Sequence, residues 1–311
     1  MAELELSLLN EMLVSRPRAT VAESEQRYKD RVQSIAEYAT SHSSIRILLL
    51  AGPSGSGKTT TANLIKDAIE ERKKECIVVS LDDFYRDVDD PVYPKTKCGE
   101  RDFECPDALH LDQISDTLCA IADGKAFSLP KYDFKVARRT ETHLYPPMGE
   151  GCVIIEGLHA LNPRIYSCLD KSKVLKIFVS LSTNITVDGE RILSGRKIRF
   201  LRRMTRDSIY RAADAERTLS MWQGVLMAED IYLYPYKEDA DIAFDTFHTF
   251  EVGVMKKYAE RLISPELAAK DEYAAAVLSA TRRIAPLDER LIPESSLIKE
   301  FIPGGIYEQL Y

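Results

Sequence analysis

The sequence predicts an α/β fold of the P-loop NTPase type, with a parallel sheet between two layers of helices, a helical lid and a helical C-terminal extension. Three observations carry this. Ile45–Ala51 (IRILLLA) is a short unbroken apolar run, the pattern of a strand buried on both faces. It leads directly into Gly52-Pro53-Ser54-Gly55-Ser56-Gly57-Lys58-Thr59, a complete GxxxxGK[ST] loop, and an amphipathic helical pattern leaves that loop. Further apolar runs then alternate with helical stretches, the order expected of a parallel sheet.

Taken in order, residues 1–44 form a helical N-terminal extension with a polar break near Ser15–Ala19. After the first strand, Lys58–Lys74 reads as a helix with Leu64, Ile65, Ala68 and Ile69 on one face. Glu75–Leu81 is a second buried strand. Between Arg86 and Arg139 prolines, aromatics and charges crowd together around one helix, Ala108–Asp123. Val153–Ile155 and Val174–Leu181 are the third and fourth strands. Arg191–Glu229 reads as strongly helical and arginine-rich, with a lid at about 191–220. Asp241–Phe244 is the last strand and Glu251–Leu262 a helix upon it. The domain expected from these elements spans 45–264, and 265–311 is a tail packed on it, helical to about Ile284.

Composition bounds the partners. The 311 residues are 45% hydrophobic and carry a formal net charge of -7, which does not recommend a nucleic-acid backbone as partner. No apolar run approaches the ~20 residues of a membrane span, and the first residues do not read as a signal peptide. Cys76, Cys98, Cys105, Cys119, Cys152 and Cys168 contain no CxxC pair, so reduced thiols in a cytoplasmic protein are expected.

The loop is a phosphate cradle. Its glycines let backbone N–H groups turn toward a β-phosphate, and the helix that begins at Lys58-Thr59-Thr60 adds its N-terminal partial charge. Lys58 reaches the β- and γ-phosphates, and the Thr59 hydroxyl is a magnesium ligand. No NKxD guanine-reading motif occurs, which sets a GTPase aside. Ile77–Asp83 begins only one helix after the loop, too early for the acidic strand of an ATPase motor. At that position Asp82 faces the γ-phosphate and can take the proton of an acceptor hydroxyl, whereas Asp83 points away. Glu156 ends the next apolar strand, close enough to serve magnesium, usually through water. Arg199, Arg202, Arg203 and Arg206 recur at helical spacing, so the local positive charge that an acidic nucleotide binder needs is expected there, as a phosphate clamp.

The cradle, LDDFYRD (Leu81–Asp87), PKYDF (Pro130–Phe134), IIEG (Ile154–Gly157) and RRMTRD (Arg202–Asp207) together resemble the uridine/cytidine kinases and their phosphoribulokinase relatives, over roughly Ile45 to Leu262. The resemblance implies ATP and magnesium as cofactors, Asp82 as general base, and Thr59, Asp82 and Glu156 at the metal. It implies a nucleoside pocket of Tyr85, Phe103, Tyr132 and Phe134, with Glu104 and Arg203 toward the ribose. Arg206 and Arg211 match lid arginines, and Asp241 a position near the adenine. Where the family reads the pyrimidine with histidine, arginine and glutamine, this chain has Ala137, Ala213 and Met221, which cannot pair with a base edge. Lys135, Arg138 and Arg139 are nearby substitutes. The resemblance therefore implies a 5′-hydroxyl nucleoside kinase. A kinase of another small hydroxyl compound (a sugar phosphate, glycerate or pantothenate) and a non-catalytic nucleotide-binding module stay open, as does a homo-oligomer.

Overall fold

The structure is a computed structural model that describes residues 2–96 and 99–310; Cys98 lies outside them. The N-terminal part comprises β1 (Glu3–Glu5), α1 (Leu6–Ser15) and α2 (Pro17–Ser41). There follow β2 (Ile47–Ala51), α3 (Lys58–Glu70), β3 (Cys76–Ser80), α4 (Leu111–Ala122), β4 (Phe127–Asp133), β5 (Arg138–Tyr145), β6 (Cys152–Gly157) and α5 (Pro163–Tyr166). The second half contains β7 (Val174–Ser180), β8 (Asn184–Val187), β9 (Glu190–Leu193), α6 (Gly195–Tyr210), α7 (Ala215–Tyr232), β10 (Ile242–Asp245), α8 (Glu251–Leu262), α9 (Pro265–Lys270) and α10 (Glu272–Arg282).

Five strands form the expected parallel sheet, in the order β10-β7-β2-β6-β3. The glycine-rich loop leaves the carboxyl end of the central strand β2, where the strand order reverses and a ligand finds a crevice. Alternation along β2 feeds two cores. Leu48 and Leu50 join a cluster with α2, α3, α6, α8 and α10. Ile47, Leu49 and Ala51 join one with α4, β4 and α5 on the opposite face. The first cluster is continuous from Leu9 and Val32 through Trp222 to Val277 and Phe301, so both ends of the chain share one core.

Three expectations are corrected. Residues 1–44 are not wholly helical, because Glu3–Glu5 pairs in parallel with β8, which pairs in turn with β9. Arg191–Glu229 is not one helix. It begins as a strand and is interrupted where Ala212 takes φ 49° and the Asp214 side chain accepts from the Arg217 N–H to start a new helix. The irregular stretch before Arg139 leads into an antiparallel hairpin, β4–β5, whose turn holds Ala137 at φ 52°.

Candidate active site

The cradle is tied from outside. Arg199 donates to the Ser54 carbonyl at 2.7 Å and to both oxygens of Glu229 at 2.8 and 2.7 Å. Arg202 bonds Glu251 at 2.6 and 3.1 Å and the Gly55 carbonyl at 3.3 Å. Thr246 Oγ1 donates to the Ser56 carbonyl at 2.8 Å. Both guanidinium groups, both carboxylates and Thr246 are buried, and a buried guanidinium needs this pairing to be tolerated. Arg199 and Arg202 are thus structural supports of the loop, not members of a phosphate clamp.

Two glycines mark where backbone passes backbone or a packed side chain. Gly55 has φ 72°, and a Cβ on it would lie 2.8 Å from the Arg199 carbonyl oxygen. Gly57 has φ 84°, and its Cβ would meet a Leu297 methyl at 2.5 Å. Inside the loop, Lys58 Nζ lies 3.3 Å from the Pro53 carbonyl, and the buried Ser56 hydroxyl has no hydrogen-bond partner among the described residues. Pro53 and Thr60 are buried at its two ends.

The acidic edge sits across from Lys58. Thr59 Oγ1 donates to Glu156 Oε1 at 3.3 Å. Burial pushes the Glu156 carboxyl up to about 7; Lys58 opposes the shift, and Asp82 adds to it. Asp82 lies in the short turn Leu81–Phe84 after β3 and is exposed. Crowding by protein on its other sides raises its pKa, and Lys58 and Arg211 oppose this. Asp83 turns away as expected, accepting from the Tyr132 N–H at 3.2 Å and pairing with Lys131 at 3.1 Å.

Three arginines converge on Asp207, a residue to which sequence reasoning gave no role of its own. Arg203, Arg206 and Arg211 lie 3.3, 3.3 and 3.5 Å from its carboxylate. Arg203 also donates to Ser54 Oγ at 2.8 Å, which joins α6 to the cradle. The spacing i, i+4 at 203, 207 and 211 was the available signal.

On the other side of Asp82, the rings of Tyr85, Tyr132 and Phe134 cluster with centroids 5.0 to 6.0 Å apart. Tyr85 Oη donates to the Phe103 carbonyl at 2.9 Å, and Phe103 packs on Tyr93, a further aromatic that the sequence reading passed over. A hollow of about 800 Å³ opens beside these two rings. Burial raises the Glu104 pKa, with Arg203 opposing and Asp82 adding to the rise. His159, also passed over, is held near 4 by burial, against the effect of its hydrogen bond to the Glu104 backbone.

Asp241 directly precedes β10, and its carboxylate accepts the Lys176 N–H at 2.8 Å. Lys176 stands opposite Leu49 in the middle of β2, three residues before Gly52 of the cradle. Ala137 lies in the β4–β5 turn, Ala213 in the break between α6 and α7, and Met221 half-exposed on α7. Of the nearby cations, Arg138 pairs with Asp89 at 2.6 Å. The Arg139 N–H donates to Asp87 at 2.8 Å, and the Lys135 N–H donates to Asp133.

Among the described residues no three His, Cys, Asp or Glu side chains are gathered to hold a metal. An ion beside Thr59 and Glu156 would draw the rest of its shell from phosphate and water, as Mg²⁺ commonly does. Among the described residues no helix is long and apolar enough to cross a membrane, and Cys76, Cys105, Cys119, Cys152 and Cys168 are free thiols.

Several known proteins are similar in sequence. The chain is 26% identical over 261 residues to uridine-cytidine kinase-like 1 of Mus musculus, covering 82% of this chain and 43% of that one. It is 28% identical over 195 residues to the uridine kinase of Schizosaccharomyces pombe, covering 62% of this chain and 38% of that one. A uridine kinase of Staphylococcus aureus is 27% identical over 198 residues, covering 63% of this chain and 85% of that protein. The chain thus spans less than half the length of the first two relatives. The phosphoribulokinase/uridine kinase family pattern matches residues 47–253, which hold β2, the cradle, both acidic strand ends and the arginine helix; the chain belongs to the phosphoribulokinase/uridine kinase family.

Proposed function

We propose that this chain transfers the γ-phosphate of ATP to the 5′-hydroxyl of a nucleoside, with magnesium. The observation that carries the reading is the placement of Asp82: exposed, within the field of Lys58 and Arg211, and close enough to Tyr85 of the aromatic cluster for its charge to act there. Backbone N–H groups of the loop and Lys58 hold the phosphates; Thr59, Glu156 and Asp82 would hold magnesium, which would supply charge neutralisation on the transferred group. The acceptor oxygen forms a bond to the γ-phosphorus as the bond to the β–γ bridging oxygen breaks. Asp82 takes the hydroxyl proton, and its raised pKa makes it a better base near neutral pH than an ordinary carboxylate. Arg203, Arg206 and Arg211 stabilise the equatorial oxygens, and closure of residues 191–220 keeps water out. Tyr85, Phe103, Tyr132 and Phe134 offer flat faces to a base, while Glu104 and Arg203 accept the ribose.

A second reading is favoured by one observation. Ala137, Ala213 and Met221 bring no hydrogen-bonding group to a pyrimidine edge, so a different small hydroxyl compound, such as a sugar phosphate or glycerate, is the alternative acceptor. A coupled ADP-release screen across nucleosides, sugar phosphates and glycerate separates the two. Nucleoside-dependent ADP formation is expected; ADP formation only with a non-nucleoside would transfer the assignment to the second reading. Asp82→Asn should retain ATP binding and lose at least ~10²-fold in turnover. Undiminished turnover would remove Asp82 from its role.

A further inference from the structure

The segment after α10 returns to the cradle from the far end of the chain. Ser296 caps a short turn, Leu297–Glu300, and bonds Glu25 of α2 at 2.5 Å. Leu297 fills the space that a side chain at Gly57 would need. Phe301 and Ile302 are fully buried, the Arg202 guanidinium lies 5.0 Å over the Phe301 ring, and Tyr210 of α6 reaches the Ile302 carbonyl at 3.3 Å. Tyr307 bonds Asp67 of α3. The segment is therefore seated on the cradle helix and on the arginine helix at once, and Glu300 is fixed between them.

Glu300 is 4% exposed. Its Oε1 lies 3.6 Å from Arg206 Nη1, longer than a hydrogen bond, and its buried Oε2 has no hydrogen-bond partner among the described residues. Its charge is felt at Glu156 on one side and at Arg211 on the other. A buried carboxylate held by charge alone, with one oxygen unsatisfied, is costly and forms a partnership that a better anion can replace. Arg206 has the complementary need. Its remaining carboxylate, Asp207, is shared with Arg203 and Arg211.

We propose that Glu300 is a positioning residue of this site: it is the resting counter-ion of Arg206, which exchanges the Glu300 carboxylate for the γ-phosphate when ATP enters. The proposal rests on the phosphotransferase reading. ADP has no γ-phosphate, so the Arg206–Glu300 pair persists with ADP bound. Breaking the pair costs free energy only when ATP binds, so Glu300 lowers ATP affinity selectively and returns Arg206 to its starting place after transfer.

The test is equilibrium binding of ATP and of ADP, each with Mg²⁺, to the full chain, followed by fluorescence titration. Glu300→Gln removes the charge and keeps the shape. It is expected to tighten ATP roughly 5- to 10-fold, a typical coupling between sites, and to leave ADP within about twofold. In an Arg206→Ala background the same substitution should no longer separate ATP from ADP, because the partner through which Glu300 acts is gone. Glu300→Asp, which draws the charge back by one methylene, should give a smaller shift in the same direction, and serves if the glutamine variant folds poorly. Equal tightening of both nucleotides, weaker ATP binding, or an effect that survives Arg206→Ala would each overturn the proposal. The readout needs no acceptor, so a wild-type chain that binds ATP but phosphorylates no hydroxyl compound would defeat the phosphotransferase reading separately.

Discussion

Glu156 shows at the scale of one residue how the site stores electrostatic cost. Its carboxyl is held at about 7 in the folded chain, against an ordinary value of 4.5. A group with a raised folded pKa binds more protons folded than unfolded through that interval. Its contribution to stability is complete below about 4.5 and lost as pH rises through about 7. The nucleotide-free protein should therefore lose on the order of 3 kcal/mol from this group between these pH values. Denaturant melts across pH check it, and Glu156→Gln should flatten that part of the profile. At this scale the positions were legible because a glycine-rich loop puts Lys58 and Thr59 at the start of a helix and the apolar runs put Asp82 and Glu156 at strand ends. Arg199 and Arg202 were not separable from Arg203 and Arg206. Helical spacing shows which residues are neighbours but not which face is buried, and the deciding carboxylates, Glu229 and Glu251, lie 30 and 49 residues away.

Elements differed in legibility for a similar reason. The buried strands announced themselves as unbroken apolar runs, and α8 matches its expected limits, Glu251–Leu262. The β4–β5 hairpin did not, since β5 (RRTETHLY) is mostly exposed and polar and its order comes from pairing with β4. Its turn places Ala137 at φ 52°, where an L side chain is strained by roughly 1–2 kcal/mol. Glycine relieves that strain and gives part of the gain back through greater unfolded-state freedom. Ala137→Gly should thus stabilise the protein by about 0.5–1 kcal/mol, seen as a higher Tm. A lower Tm would show that the left-handed turn is not kept in solution.

On the scale of the molecule, α1 and α2 before the sheet and α10 with residues 297–302 after it enter one apolar cluster. A shared core predicts one cooperative transition rather than separate melting of the ends. Leu9 of α1 is fully buried in that cluster. Leu9→Ala should cost about 2–5 kcal/mol and lower the whole transition. Far-UV circular dichroism and the fluorescence of Trp222, the single tryptophan, should still change together. An early loss of helix signal with Trp222 unchanged would show that α1 melts by itself.

The sequence alone determined the parallel sheet, the phosphate cradle and the acids at the ends of two strands. These depend on local pattern: an apolar run, a glycine spacing, an acid where a strand stops. Tertiary structure decided which arginines support the loop and which gather on Asp207, that Asp241 binds the Lys176 N–H, and that Leu297 packs at Gly57 while Glu300 lies beside Arg206. Those outcomes depend on contacts between residues far apart in the chain, for which periodicity and spacing carry no signal, because burial and pairing are properties of the packed whole.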